Sequence, residues 1–387
     1  MAGYEGDVLF EDYEYEEMKT DTDDKQELEQ RDEIYPSFDI KTEKGFYTVF
    51  ELKRRFDANP KRIKLDSEFQ RESVWKPIQK AELIESLLMG LPLPIFYFNQ
   101  DRYGNLIVVD GRQRLTALFD FIDGKFCLNH LKILDQFNEK SFGDLAPVYQ
   151  TRIEDFQIQA HVIMPPTPDR IKFDIFDRVN RGGTILNKQE IRNALYQGNS
   201  TLFLKKVVNS EAFKLATGNA FLNEKRMKDK YLITRFVAFY LYNCDCFKED
   251  DGKPYVYKND LDELLGKGMD CLNSMPVASI KKLEEMIERA LSKSAILLGP
   301  DAFRLVNDGR RGPINMNVFE SIMFIMVELD AANENHISCD KARNSVQAWV
   351  NSDEFRENIG NRRDSAIKLR WRIIESINLG KEIARND

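Results

Sequence analysis

The sequence predicts an α+β chain, with a mixed α/β domain over about residues 35–197 followed by an all-helical domain over 198–387. Three observations carry that reading. Short runs rich in β-branched and aromatic residues, such as Ile95-Phe96-Tyr97-Phe98 and Leu106-Ile107-Val108-Val109, alternate with helical spacings in the first half of the chain. After about Gln197 the strand-like runs largely stop, and helical periodicities follow near 200–215, 227–243, 259–272, 278–297, 316–329, 338–350 and 362–379. The first 34 residues are set apart by charge: Glu5 to Glu33 holds fourteen acidic and three basic residues, a balance of −11, which leaves +3 for the rest of a chain whose net charge is −8. Residues 1–34 therefore read as an acidic arm, disordered by composition. A sharper alternative is that the arm covers a basic groove by mimicking nucleic acid.

The elements follow in order. Thr48 and Glu51 have the spacing of a capping box, starting a helix that Pro60 ends. Residues 62–65 read as a short strand, and 69–75 mix polar and aromatic residues without a period. Pro77 suits the first turn of a helix carrying Leu83, Ile84, Leu87 and Leu88, with Gly90 placed to stop it. Residues 95–98 and 106–109 form a hairpin about a turn at 101–105. A helix over 112–122 ends at Asp123-Gly124. Residues 126–128 and 132–134 read as short strands, 142–145 and 148–156 as short helices, and 157–163 as an alternating strand. A helix from about 169 to 179 leads to the Gly-rich break Asn180-Arg181-Gly182-Gly183. Asn187 with Glu190 then makes a second capping box, opening a helix with Ile191, Ala194 and Leu195.

The most informative stretch is 106–119. An apolar strand turns through Asp110-Gly111 into a helix, and such a helix start aims backbone N–H groups past the strand end. Two arginines, Arg112 and Arg114, occupy the first turn, where the helix dipole disfavours cations. Their placement makes sense beside an anion, phosphate first of all. The plain alternative is two solvated arginines after a common turn.

Three islands then stand out together: Phe69-Gln70-Arg71 with Val74-Trp75; Val109-Asp110-Gly111-Arg112-Gln113-Arg114-Leu115-Thr116; and Phe176-Asp177-Arg178-Val179-Asn180-Arg181-Gly182-Gly183 with Glu190 and Asn193. With Gly90-Leu91-Pro92-Leu93-Pro94 between the first two, their order and spacing closely resemble the GmrSD-type restriction N-terminal family (domain of unknown function 262). The resemblance covers about residues 45–195. The family's middle motif usually reads Asp-Gly-Gln-Gln-Arg-Leu-Thr, so Arg112 replaces the first Gln. The helical remainder resembles the region that follows in members lacking a fused nuclease.

The resemblance implies a fold related to ParB and sulfiredoxin, in which the Asp-Gly-x-x-Arg turn binds nucleotide phosphates. It implies kinship with nucleotide-hydrolysing sensors of anti-phage defence that recognise modified DNA. Carried over residue by residue, it implies nucleotide contacts from Gln70, Arg71, Asp110, Gly111, Gln113, Arg114, Thr116, Arg178 and Asn180. Arg112 departs from the pattern and adds positive charge at the phosphate end.

Residue chemistry fits these roles beside plainer ones. Gly111 has no side chain to block an approaching phosphate. Arg71 and Arg114 can offer paired, charge-assisted bonds to phosphate oxygens, or can make surface ion pairs. Asp110 can hold Mg²⁺ or orient a water, or can cap the following helix. Asn180 suits a base, ribose or phosphate contact, or an ordinary turn. Trp75 suits a core anchor better than a base platform. The expected activity is a Mg²⁺-dependent nucleoside triphosphatase with Asp110 and Arg114 as its catalytic residues and Asp110 as the metal ligand. The alternatives are a nucleotide-gated DNA-binding switch without turnover and a DNA-nicking nuclease.

Other chemistries find no support. There is no G-x-x-x-x-G-K-[ST] loop and no G-x-S-x-G elbow. The three histidines, His130, His161 and His336, lack metal-pair or HNH spacing, so the fused HNH domain of many relatives is not expected here, and a nuclease partner in trans is left open. None of the five cysteines lies in the arginine turn, which sets aside sulfiredoxin-like thiol chemistry. No apolar run reaches a membrane span and the N-terminus is not signal-like, so a cytoplasmic protein is expected, with a homo-oligomer open. Lys225-Arg226 with Lys228 and Lys230, Arg362-Arg363 with Lys368, Arg370 and Arg372, and the looped pair Arg310-Arg311 are candidate DNA contacts, against the plain reading of solvated faces.

Overall fold

The computed structural model describes residues 41–65, 75–101, 103–165, 167, 172, 175–176, 178, 187–224, 226–249, 252–307, 310–332, 339–359 and 365–385. The acidic arm, Gln70, Arg71, Asn180, the Gly-rich break and most of 169–179 lie outside the described residues. Those described fall into two compact units that change over between Leu195 and Tyr196.

In the first unit, β1 (Thr42–Thr48), β2 (Ile63–Lys64), β3 (Phe96–Gln100), β4 (Leu106–Asp110) and β5 (Gln157–Ile163) form one mixed sheet in the order β1-β5-β3-β4-β2. The β1–β5 and β3–β4 pairs are antiparallel, and the β3–β5 and β2–β4 pairs are parallel. The sequence does not predict β1. Its residues are exposed or half-buried throughout, so no apolar alternation marks it. Pairing with β5 makes it a strand, from Thr42 opposite Ile163 to Thr48 opposite Gln157.

The helices begin where local signals place them. In α1 (Val49–Asp57) the Thr48 Oγ1 accepts the Glu51 N–H at 3.0 Å, while the Glu51 carboxylate pairs with Arg55. Pro77 opens α2 (Pro77–Met89), and Gly90 at φ 73° closes it. Next come α3 (Arg112–Ile122), α4 (Pro147–Glu154) and α5 (Lys188–Leu195). At the start of α5, Asn187 Oδ1 accepts the Gln189 and Glu190 N–H groups at 3.0 and 2.9 Å, and Glu190 Oε2 accepts the Asn187 N–H at 2.7 Å, closing the second box.

Strand alternation divides the sheet between two clusters. Phe96, Phe98, Leu106, Val108, Ile158, Ala160 and Val162 pack with Leu52, Ile84, Leu87, Leu115, Leu118 and Ile153 of α1 to α4. On the other side Val109 and Ile163 pack with Phe176 and with Ile191 of α5, and Tyr97 lies against this smaller cluster.

The short strands that the sequence predicts at 126–128 and 132–134 are not strands. Their backbone polar groups are satisfied another way. Buried Glu85 of α2 accepts the Ile133 and Leu134 N–H groups at 3.0 and 2.8 Å, and Leu128 bonds Lys140 and Glu139 through its backbone at 2.9 and 2.7 Å. A carboxylate thus stands where a neighbouring strand is expected. Glu85→Ala leaves two amides without this acceptor and should cost about 2 kcal/mol, with Glu85→Gln costing less because it keeps one acceptor oxygen. Urea unfolding checks this, and a Glu85→Ala midpoint equal to wild type would sink it.

The second unit contains α6 (Asn199–Asn209), α7 (Glu211–Ala216), α8 (Lys228–Asn243), α9 (Leu261–Ser274), α10 (Val277–Leu298), α11 (Met316–Ala331), α12 (Cys339–Val350), α13 (Asp353–Ile359) and α14 (Ala366–Arg385). Helix α11 is buried without a break from Asn317 to Met326, and it lies against α8, α10 and α14. The unit is not all-helical. The strands β6 (Arg304–Asn307) and β7 (Arg310–Ile314) form an antiparallel hairpin, so Arg310 and Arg311 belong to a strand and not to the loop the flanking glycines suggest. Each strand is too short to show a period, and pairing decides it.

Packing also removes a residue from the predicted basic clusters. Arg372 is 2% exposed and lies 3.7 Å from Glu320, which is also paired with buried Arg235. Arg370 donates to the Tyr242 hydroxyl at 3.3 Å, and Lys368 to the Glu357 carbonyl at 2.6 Å. Lys225, Arg362 and Arg363 lie outside the described residues. All five cysteines are free thiols. Among the described residues no helix is long and apolar enough to cross a membrane.

Candidate functional site

The site begins where β4 runs out. Leu106 to Val109 are buried, Asp110 is half-buried, and the chain turns at Gly111. Gly111 is the N-cap of α3, at φ 94° and ψ 7°. A Cβ there would stand 2.1 Å from Cδ1 of Phe96 and 2.6 Å from its Cε1. Glycine is thus required by the left-handed backbone and by the ring packed beneath it. No side chain of the N-cap residue caps α3, so the helix start presents backbone N–H groups and the positive end of the dipole.

Arg114 is more committed than the sequence suggests. Its Nη2 donates to Asp110 Oδ2 at 2.8 Å and to the Ile95 carbonyl at 3.4 Å, and its Nη1 donates to the Pro94 carbonyl. The guanidinium also lies over the Phe96 ring, 4.1 Å from its centroid. The Arg114 side chain is 11% exposed, against 38% for Asp110. Burial pulls the guanidinium below its ordinary pKa, and the Asp110 charge opposes that. An arginine remains charged under such a shift. Arg114 is therefore a strut that ties the start of β3 to the end of β4. Asp110 does not cap α3; its Oδ2 is held by this strut.

Arg112, Gln113 and Thr116 are half-buried along the first turns of α3. Arg178 is exposed, two residues beyond Phe176, which is fully buried against Val109 and Ile163. The structure thus brings Asp110, Gly111, Arg112, Gln113, Arg114 and Thr116 onto one strand–turn–helix, and anchors the residues before Arg178 beside Val109. Gln70, Arg71 and Asn180 lie outside the described residues. Trp75 packs, partly buried, against the main core, as an anchor does. Among the described residues no group of three or more His, Cys, Asp or Glu side chains is arranged to hold a metal ion.

Sequence reasoning missed two features near the turn. On α5, which lies against β4, Gln189, Arg192 and Asn193 are buried although polar. Gln189 Nε2 donates to Asn193 Oδ1 at 2.9 Å, and Arg192 Nη1 donates to Gln189 Oε1 at 3.2 Å. Helical spacing assigns these side chains to solvent, and the motif position of Asn193 is the one signal against that. The second feature is a pair of stacked rings, Tyr97 and His161, on neighbouring strands beside Asp110. Tyr97 sits in an unbroken apolar run and His161 in a strand whose faces cannot be told apart from the sequence.

Comparison with known proteins bears on the same segment. Residues 52–197 match the family described as the GmrSD restriction endonuclease, N-terminal domain. Neither a curated protein nor a solved structure matches the chain significantly. The matched residues run from α1 past the end of α5 and include the β4–α3 turn, its Asp110–Arg114 strut and the Phe176–Arg178 segment. Over residues 52–197 the chain is thus similar to a restriction-type N-terminal domain.

Proposed function

We propose that this domain binds a nucleoside triphosphate at the β4–α3 turn, with Mg²⁺, and hydrolyses it as part of an anti-phage restriction protein that senses or acts on DNA. The observation that supports it most is the turn itself. Gly111 opens a helix without a side chain cap, and the half-exposed Asp110 stands at its entrance, fixed by a buried arginine. A helix start of this kind favours phosphate oxygens. Arg112 in the first turn and the exposed Arg178 add positive charge that favours phosphate at this turn. That gives Arg112 a reason to depart from the family's Gln.

Asp110 is the carboxylate of the turn suited to Mg²⁺, which commonly binds through one or two protein carboxylates together with substrate phosphates. Bound Mg²⁺ would offset phosphate charge. A ParB-like switching role, a nuclease partner in trans and self-association belong to the same reading.

The test is a panel of the four ribonucleoside triphosphates with Mg²⁺, read by thermal shift and by phosphate release. At least one nucleotide should raise the melting temperature, and the same one should release phosphate above background. No shift with any of the four overturns the reading. The alternative is a switch without turnover. That reading predicts a shift without phosphate release. Nicking of supercoiled plasmid that Asp110→Ala abolishes would point to a nuclease instead.

A further inference from the structure

One register row crosses four strands of the sheet. Lys44 of β1 is opposite His161 of β5, His161 is beside Tyr97 of β3, and Tyr97 is opposite Asp110 of β4. In the neighbouring row Ala160 and Phe96 are fully buried. This row is polar and aromatic, and Tyr97, His161 and Asp110 are each half-buried. The Tyr97 and His161 rings stack, with centroids 5.5 Å apart and planes 19° from parallel.

We infer that the Tyr97–His161 stack is the platform for the nucleobase of the ligand whose phosphates meet the β4–α3 turn. The inference rests on the nucleotide reading given above and assigns the base end of the same site. Spacing supports it. Adjacent strands lie about 4.8 Å apart, so Tyr97 is one spacing from Asp110 and His161 is two. That is the reach of a ribose between a base and its first phosphates. The β3–β4 register shifts between Tyr97 and Phe98, a local irregularity of the kind that re-aims side chains next to binding sites. The platform also has a fixed border: Phe176, fully buried on Val109 and Ile163, holds the segment carrying Arg178 against the cluster on which Tyr97 packs. Base and the second arginine would then lie on the Tyr97 side of the sheet, with the phosphates at the end of β4, where the chain turns into α3. Stacked rings accept any base through its π face, so the platform supplies affinity for nucleotides as a class.

The experiment titrates the full chain, with Mg²⁺ present, against each of the four ribonucleoside triphosphates and against inorganic tripolyphosphate. Wild type should bind at least one nucleotide about tenfold more tightly than tripolyphosphate. Tyr97→Leu and His161→Leu should bring that nucleotide down to the tripolyphosphate level and leave tripolyphosphate binding unchanged. Tyr97→Phe, which keeps the ring, should retain the preference and guards against a Leu variant that merely packs poorly. A preference that survives both Leu variants overturns the platform, as does equal binding of nucleotide and tripolyphosphate by wild type. Loss of tripolyphosphate binding in both Leu variants also overturns it, because the rings would then be supporting the turn and not a base. Wild type that binds neither ligand overturns the nucleotide reading and the platform together.

Discussion

Arg114→Ala is expected to abolish nucleotide-induced stabilisation and to destabilise the first unit by about 3 kcal/mol. The size follows from what the side chain holds. It is nearly buried, accounts for Asp110 Oδ2, and satisfies the Pro94 and Ile95 carbonyls at the entry to β3. Removing the guanidinium takes away three hydrogen bonds and the packing on the buried Phe96 ring at once, which costs more than an exposed ion pair is worth. The 38% exposure of Asp110 keeps the figure below that of a fully enclosed pair. Arg114→Lys should recover part of the stability, since an ammonium cannot reproduce the planar fork or its seat on the Phe96 ring. The comparison that separates support from contact is Arg112→Gln, which installs the family's usual residue. It should weaken nucleotide binding several-fold at low salt and flatten its salt dependence. Denaturant unfolding with nucleotide titration at two salt concentrations reads all three variants. Arg114→Ala with wild-type stability and a wild-type nucleotide shift would contradict the strut.

Gly111→Ala should be about as damaging, by a different route. The new methyl would stand 2.1 Å from a ring carbon of Phe96, a residue with no exposed surface. The backbone at φ 94° is itself strained for any residue with a Cβ. Left-handed strain of about 1–2 kcal/mol and overpacking of about 1–3 kcal/mol together predict a loss of about 3 kcal/mol. Adding Phe96→Ala makes room for the methyl but leaves the backbone strain. The double variant should therefore be more stable than the sum of the single effects predicts. Strict additivity in equilibrium unfolding, or a Gly111→Ala loss below 1 kcal/mol, would show that the turn relaxes.

The two variants separate what glycine does here from what it was expected to do. Sequence reasoning gave Gly111 to the approach of a phosphate. The ring packed against its missing side chain gives it a structural task whether or not phosphate binds. Arg114 shifts in the same direction, from an outward fork to an inward strut.

Much of the fold was legible because its signals are local. Thr48, Pro77, Gly90 and the Asn187–Glu190 pair act within a few residues of themselves, and each ends or starts a helix where its chemistry dictates. Apolar runs placed β3 and β4, and alternation placed β5, because such patterns lie within the strand's own residues. The Asp-Gly turn was legible for the same reason. The strand β1, the hairpin at 304–314 and the irregular path through 126–134 were not. Each is decided by a distant partner: β5 for the first, mutual pairing for the second, and Glu85 for the third.

By itself, then, the sequence determined the mixed first half, the helical second half, the helix ends and the family motif about Asp110. Tertiary structure alone decided which charges face inward and which groups meet across the sheet. Arg372 and Arg192 read as surface cations until packing buries them, and Tyr97 and His161 are unremarked until two strands come into register. The physical reason is range. Capping and turn formation act over three or four residues, whereas burial and cross-strand register depend on residues brought together from tens of positions away.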